Sequence, residues 1–279
     1  MDKYGLLLPA LAELGVAYTR HTPAAMPRAA IAAAHDADYV AAVFDGTLSL
    51  EAQRRIGFPV TPAMVMRSRY VMGGTYLAAR LALVRGFAVN SAGGSHHALP
   101  GGGAGYCVFN DLAVAGQRLL GEGHVARLMV VDLDVHQGDG TAAIFAGRDD
   151  AITFSMHAAK NFPVRKMRST HDVELPDGMS DEAYLATLAA ELPPLLDRYR
   201  PGLVLYQAGV DPHGTDRLGR LALTDAGLAA REAFVVRACA ARGIALATTL
   251  GGGYGADVPA VAMRHARSIA AMAATFAAL

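Results

Sequence analysis

Arg127-Leu128-Met129-Val130-Val131-Asp132-Leu133-Asp134-Val135-His136-Gln137-Gly138-Asp139-Gly140 begins as an apolar β run and turns polar as it ends. A short, continuous apolar run bounded by glycine reads as a strand buried on both faces. Asp134 and His136 stand two apart, so on an extended backbone both side chains point the same way. A carboxylate beside an imidazole at a strand end suits a borderline divalent cation such as zinc.

The pattern repeats on either side of this stretch. Phe87–Asn90, Ala151–Met156, Leu203–Ala208 and Ile244–Leu250 read as further strands. Helices are expected over Asp111–Leu120, Thr141–Phe145, Ser180 toward Arg198, Thr224 to about residue 241, and from Val258 onward. Ser180-Asp181-Glu182 supplies an N-cap and first-turn acids, whereas Pro193-Pro194 predicts a kink or split in that helix. In the first 85 residues, Met26–Ala34 and Gly74–Val84 look helical, and Phe58–Pro62 reads as loop. Apolar strands alternating with helices imply an α/β fold with a parallel sheet covered on both faces. No repeat, low-complexity tract or linker interrupts the chain, so one domain over residues 1–279 is expected.

Composition narrows the function. Hydrophobic residues make up 53% of the 279 and charged ones 18%, as in a compact globular protein. Twenty-five basic and twenty-five acidic residues cancel, which argues against a nucleic-acid backbone as partner. The leucine run Leu6-Leu7-Leu8-Pro9 is too short for a membrane span and has no basic leader before it. Two cysteines, Cys107 and Cys239, make neither a disulfide framework nor a thiolate metal site, and the expected location is the cytoplasm.

Each predicted strand end is followed by polar or glycine-rich residues: Gly93-Gly94-Ser95-His96-His97, Asp134 and His136, Gly209-Val210-Asp211-Pro212-His213, and Gly251-Gly252-Gly253-Tyr254. In parallel sheets ligands bind outside the carboxyl ends of the strands, so these groups are expected to converge on one crevice. Asp134, His136 and Asp211 would leave a fourth position open on a tetrahedral ion, the arrangement of a catalytic zinc. His96 and His97 can then serve as general base and acid. Asp132 and Asp139 are placed to accept the remaining imidazole N–H groups, and Tyr254 to donate to a developing oxyanion. The implied chemistry is hydrolysis of an amide-like carbonyl.

Singly, these motifs have plainer explanations. A His-His pair is often a surface accident, Asp-Pro a turn start, and a tyrosine after glycines an ordinary half-buried side chain. His213 makes a second Asp-x-His, but Asp211 is the expected ligand. The glycine triplets lack both the Rossmann spacing and a P-loop lysine, so they do not predict a nucleotide site. The other histidines read as structural or surface, with His157 the one candidate for the shell around the metal.

Taken in order, His96-His97, Gly105-Tyr106-Cys107, Asp132 to Gly140, Gly209-Val210-Asp211 and Gly251 to Tyr254 resemble the histone deacetylase superfamily, most closely its class IV branch and bacterial relatives. The resemblance implies a single-domain, three-layer arginase/deacetylase α/β fold with a central, mainly parallel sheet of about eight strands. It implies zinc-dependent removal of acyl groups from lysine side chains of a protein or peptide, or from a small acylated amine such as an acetylpolyamine. By position, Asp134, His136 and Asp211 match the zinc ligands. His97, paired with Asp139, matches the general base, and His96, paired with Asp132, the electrostatic histidine. Tyr254 matches the carbonyl-polarising tyrosine. Gly105, Tyr106, Phe162 and Gly252 match the substrate tunnel. Asp132, Asp134, His136, Ser155 and Met156 match a structural potassium site. Tyr106 stands where that wall is usually phenylalanine, and no residue matches the acidic rim group that grips substrate backbone in other branches. A binuclear manganese ureohydrolase would need further metal-binding Asp and His residues, and a non-catalytic acyl-lysine binder would not need the intact water-activating set.

Overall fold

The structure, a computed structural model, describes residues 3–279. Five helices come first: α1 (Lys3–Glu13), α2 (Arg28–Ala32), α3 (Ala37–Phe44), α4 (Leu50–Ile56) and α5 (Pro62–Arg85). The remainder alternates: β1 (Phe87–Val89), α6 (Asp111–Gly121), β2 (Leu128–Asp132), α7 (Asp139–Ile144), β3 (Ala151–Ala158), β4 (His171–Leu175), α8 (Asp181–Tyr199), β5 (Leu203–Gln207), α9 (Asp225–Ala240), β6 (Ala245–Thr249) and α10 (Val258–Ala277).

The strands form one sheet in the order β1-β6-β5-β2-β3-β4, with every pairing parallel. It has six strands rather than about eight, because the described residues before β1 fold entirely as helices and turns. The four central strands, β2, β3, β5 and β6, are buried along their whole length. Alternation along β2 sends Met129 and Val131 to one face, where α1, α8, α9 and α10 pack, and Leu128 and Val130 to the other, under α5 and α6. Three layers result.

The chain leaves β2 toward β3 and β4, then returns to β5 and β6 on the other side of β2. Loops following β2 and β5 therefore diverge, and a crevice opens between the carboxyl ends of these neighbours. The segments that carry Asp134, His136 and Asp211 leave from those two strands.

Several local expectations change in the folded chain. Strand β2 ends at Asp132, so Asp134 and His136 lie in the bend beyond it. That bend is closed by the Asp134 carboxylate, which accepts from the His136 amide at 3.0 Å. Helix α8 runs unbroken through Pro193-Pro194, since Tyr184, Leu188, Leu192 and Leu196 form a fully buried stripe. Packing of that stripe outweighs the two missing backbone donors. The Ser180 side chain makes no capping bond; Asp181 instead accepts from the Thr224 amide and hydroxyl. Thr224 caps α9 as expected, accepting from the Gly227 amide. Helix α5 starts twelve residues before Gly74, at Pro62 behind the Thr61 cap.

His157 on β3 is fully buried, with Nδ1 on the Ser155 hydroxyl at 3.0 Å and Nε2 without a partner. Burial pushes its pKa down to about 4 against the pull of Asp172. The unfolded chain binds this proton near pH 6.5 and the folded chain only near 4, so stability falls as pH drops through that window. In urea unfolding from pH 7 to pH 4, wild-type protein should lose up to about 3 kcal/mol relative to His157→Asn, at 1.36 kcal/mol per unit of pKa. Parallel pH curves for the two proteins would refute this.

Candidate active site

The bend after β2 and the loop after β5 bring Asp134, His136 and Asp211 together, all buried, with one donor atom from each within 4.8 Å of the others. His136 Nδ1 lies 2.9 Å from Asp134 Oδ1 and 3.1 Å from Asp211 Oδ2. The second oxygen of each carboxylate is held by the protein. Asp134 Oδ2 accepts from Gln207 Nε2 at 2.7 Å and from the Gly252 amide at 2.8 Å, and Asp211 Oδ1 accepts from the Val135 amide at 2.9 Å. Gly252 has no room for a side chain, because an added Cβ would collide with the Asp211 carboxylate.

The electrostatics are those of a cation site. Burial and the neighbouring Asp134 raise the Asp211 pKa to about 7. Burial opposes charge on His136, yet Asp134 and Asp211 raise its pKa to about 10. Two buried carboxylates and one imidazole thus share a focus that favours positive charge. One nitrogen and two oxygen donors fit a divalent ion of zinc's type.

His96 and His97 reach the same crevice from the loop after β1, their ring centroids 4.1 Å apart. His96 Nδ1 is 2.6 Å from Asp132 Oδ2, and His97 Nδ1 is 2.7 Å from Asp139 Oδ1. Burial disfavours the His96 cation, but Asp132 and Asp134 outweigh it and raise the pKa to about 9. For His97, burial and the His96 charge outweigh Asp139 and lower the pKa to about 4. Adjacent imidazoles are thus held in opposite states, one cationic and one neutral. Asn110, which caps α6, also donates to the His96 carbonyl at 3.3 Å and to the Thr141 hydroxyl at 2.9 Å, fixing this loop against α7.

Tyr254 stands edge-on to His136 at 6.3 Å between centroids, and its ring lies 5.9 Å from that of Tyr106. Burial, Asp134 and Asp211 hold its hydroxyl pKa well above the ordinary value, so it keeps its proton. Phe162 packs edge-on against His97 at 4.8 Å, and the Phe162–Pro163 peptide is cis. Gly105 (φ 52°) approaches so closely that a Cβ would sit 2.5 Å from His97 Cδ2 and 3.1 Å from Phe162. Asp132 and Ser155 are register partners on β2 and β3, with Met156 the next residue along. His213 turns away, toward Thr215 and Asp225. Cys107 and Cys239 are free and buried.

A cavity of about 620 Å³ runs past His96, His97, Gly105, Tyr106, Gly252 and Tyr254. Its walls include residues that the sequence did not mark: Lys3, Tyr4 and Arg67. Lys3 Nζ donates to the Gly251 and Gly253 carbonyls at 3.0 and 3.3 Å and faces His265 Nε2 at 3.2 Å. Burial lowers its pKa to about 8 although Asp211 and Asp134 pull it upward. Only the fold reveals Lys3, since the approach of α1 to α10 leaves no local signature. Arg231 of α9 was likewise unmarked. Fully buried, it donates from Nη1 to the Leu133 carbonyl at 3.0 Å and the Gly209 carbonyl at 2.9 Å. One guanidinium therefore ties together the two segments that carry Asp134 and Asp211. Its charge meets Glu232 at 2.5 Å, and Glu232 also accepts from the Tyr206 hydroxyl at 2.5 Å.

The Histone deacetylase domain family matches residues 1–270. This chain belongs to the histone deacetylase family. It is 47% identical over 267 residues to an uncharacterized protein of Picosynechococcus sp., covering 95% of this chain and 89% of that one. It is 32% identical over 200 residues to Histone deacetylase 2 of Arabidopsis thaliana, covering 71% of this chain and 52% of the relative. The chain thus spans about half the length of that plant deacetylase. Among solved structures, acetylpolyamine aminohydrolase from Burkholderia pseudomallei superposes with a TM-score of 0.78 at 20% identity, covering 98% of this chain and 90% of that one. At that identity the likeness is one of fold.

Replacing Arg231 by Met leaves Glu232 buried without its cation, which typically costs about 3–5 kcal/mol. Urea unfolding should show a loss of that order for Arg231→Met and a smaller loss for the Arg231→Met/Glu232→Gln pair. Equal losses would mean that the buried charge is not what Arg231 balances.

Proposed function

We propose that this protein is a zinc-dependent hydrolase that removes acyl groups, acetyl or longer, from lysine side chains. The observation that carries the reading is the meeting of Asp134, His136 and Asp211 beside two buried imidazoles, each held through Nδ1 by its own aspartate. Asp134, His136 and Asp211 would hold the zinc, and three protein ligands leave a position free. Zinc, when bound, lowers the pKa of a water to about 7 and polarises the acyl carbonyl.

The remaining chemistry belongs to the chain's own side chains. His97, neutral and fixed through Nδ1 by Asp139, takes a proton from the attacking water at Nε2 and delivers it to the departing lysine amine. His96, held cationic by Asp132, supplies positive charge beside the reacting carbonyl. Tyr254 donates its hydroxyl to the developing oxyanion. Gly105, Tyr106, Phe162 and Gly252 form the passage for the lysine chain, with the ring of Phe162 as one wall. We assign a structural potassium ion to Asp132, Asp134, His136, Ser155 and Met156, where oxygen donors line the β2–β3 edge of the site. Free buried cysteines support a reducing, cytoplasmic setting.

Turnover is best measured on acetyl- to myristoyl-lysine peptides alongside acetylpolyamines. A chelator should abolish turnover and added zinc should restore it; full activity in chelator-stripped protein would overturn the proposal. Tyr254→Phe should lower kcat about 100- to 1,000-fold with little change in KM, as expected when an oxyanion donor is lost. His97→Ala should be inactive on every substrate.

A further inference from the structure

The mouth of the site carries a charge that the deacylation chemistry does not use. Four short segments border the site on one side, three of them lining the cavity and the fourth reaching it through Phe162 against His97. Residues 54–58 close α4 and support the next segment, the amides of Gly105 and Tyr106 donating to the Arg55 and Ile56 carbonyls at 3.2 and 2.8 Å. Residues 104–107 bring Tyr106, which is 53% exposed. Residues 161–168 are strapped over the site by Gln137, which donates to the Met167 carbonyl at 2.6 Å and accepts from its amide at 2.9 Å. Residues 217–219 are anchored from the far side, the Arg217 amide donating to the Tyr254 carbonyl at 3.0 Å.

Together the four segments contain Arg54, Arg55, Arg165, Lys166, Arg168 and Arg217 and not one Asp or Glu, in a chain whose charges balance overall. Arg165, Arg168 and Arg217 are exposed, and none forms an ion pair with another described residue. Asp216, the carboxylate next to this edge, is already occupied: it accepts from the amides of Tyr254, Leu218 and Gly219 at 2.6, 2.8 and 3.1 Å. Exposed Tyr106, Phe162 and Leu218 supply apolar surface between the cations.

We infer that this mouth selects an acylated lysine lying in an acidic peptide segment, with Asp or Glu on the residues flanking it. The inference rests on the deacylase reading and gives it a substrate class. Guanidinium groups without an ion pair among the described residues match flanking carboxylates in geometry and charge. A basic rim raises encounter with anionic chains and repels cationic ones, which places acetylpolyamines and lysine-rich segments among the poor substrates.

The test compares zinc-loaded enzyme on two acetyl-lysine peptides that differ only in Asp/Glu against Lys/Arg flanks, on an uncharged blocked acetyl-lysine, and on an acetylated spermidine. The acidic peptide should exceed the basic one about tenfold in kcat/KM at low salt, converging toward about 0.5 M salt, because exposed ion pairs are individually weak and screened. The Arg165→Glu/Arg168→Glu protein should compress or reverse that ratio. Dissociation constants of the two peptides on His97→Ala protein should rank in the same order. Equal kcat/KM for both peptides, or faster turnover of the acetylated spermidine, would overturn the inference while leaving the deacylase reading intact. No turnover of either peptide or of the uncharged acetyl-lysine would remove the deacylase reading, and this one with it.

Discussion

Three carboxylates, Asp132, Asp134 and Asp211, are buried side by side at the carboxyl ends of β2 and β5, and the upper edge of the fold is arranged around keeping them there. Charge out of water must be paired or bonded. Here the partners are imidazoles and backbone amides: His96 for Asp132, His136 for Asp134 and Asp211, and the N–H groups of Asp134, Val135, His136 and Gly252. Most of those amides belong to the same tight bend, so the turn that follows β2 also solvates the carboxylates. Its shape follows from the carboxylates rather than from strand geometry.

Parallel pairing of β2 with β5 makes this possible. Asp132 and Gln207 are register partners, so Gln207 ends its strand beside the bend and reaches Asp134 directly. Its carbonyl oxygen Oε1 then accepts from the Gly209 amide at 2.7 Å, shaping the segment that leads to Asp211. Arg231 binds both segments from the helix layer behind. Asp134, His136 and Asp211, drawn from two loops, are thereby fixed by rigid elements on three sides, as a preorganised site requires.

Legibility in the sequence followed burial. Strands buried on both faces, such as Val130-Val131 in β2 and Val204-Leu205 in β5, announce themselves as apolar runs, and the polar clusters beyond them marked the site. Strand β4 (His171–Leu175) was invisible because it is an edge strand, mostly half-exposed and lacking such a run. Pro193-Pro194 misleads in the opposite direction, because the leucine stripe that offsets its local cost shows only in the packed helix. As sequence, α1 is only a leucine run too short to cross a membrane, and no described helix is long and apolar enough to do so. Lys3 and Arg231 were beyond reach, because each acts through backbone carbonyls that no side-chain motif advertises.

Nothing in the dipeptide His96-His97 says which ring favours the proton, and each has an aspartate on Nδ1. The difference lies one shell further out. His96 Nε2 is 3.8 Å from Asp134 Oδ1, so its ring lies between two carboxylates and is stabilised as a cation. His97 has Asp139 alone, and it faces the positive His96 at 4.1 Å and His136 at 5.8 Å. With one negative neighbour against two imidazoles, and buried under Phe162, it sheds its proton. Exchanging the two roles would require moving Asp134, a residue already committed to His136, Gln207 and Gly252. The difference between the two rings is therefore set by the same carboxylate that meets His136 and Gln207, and the two features cannot be varied independently.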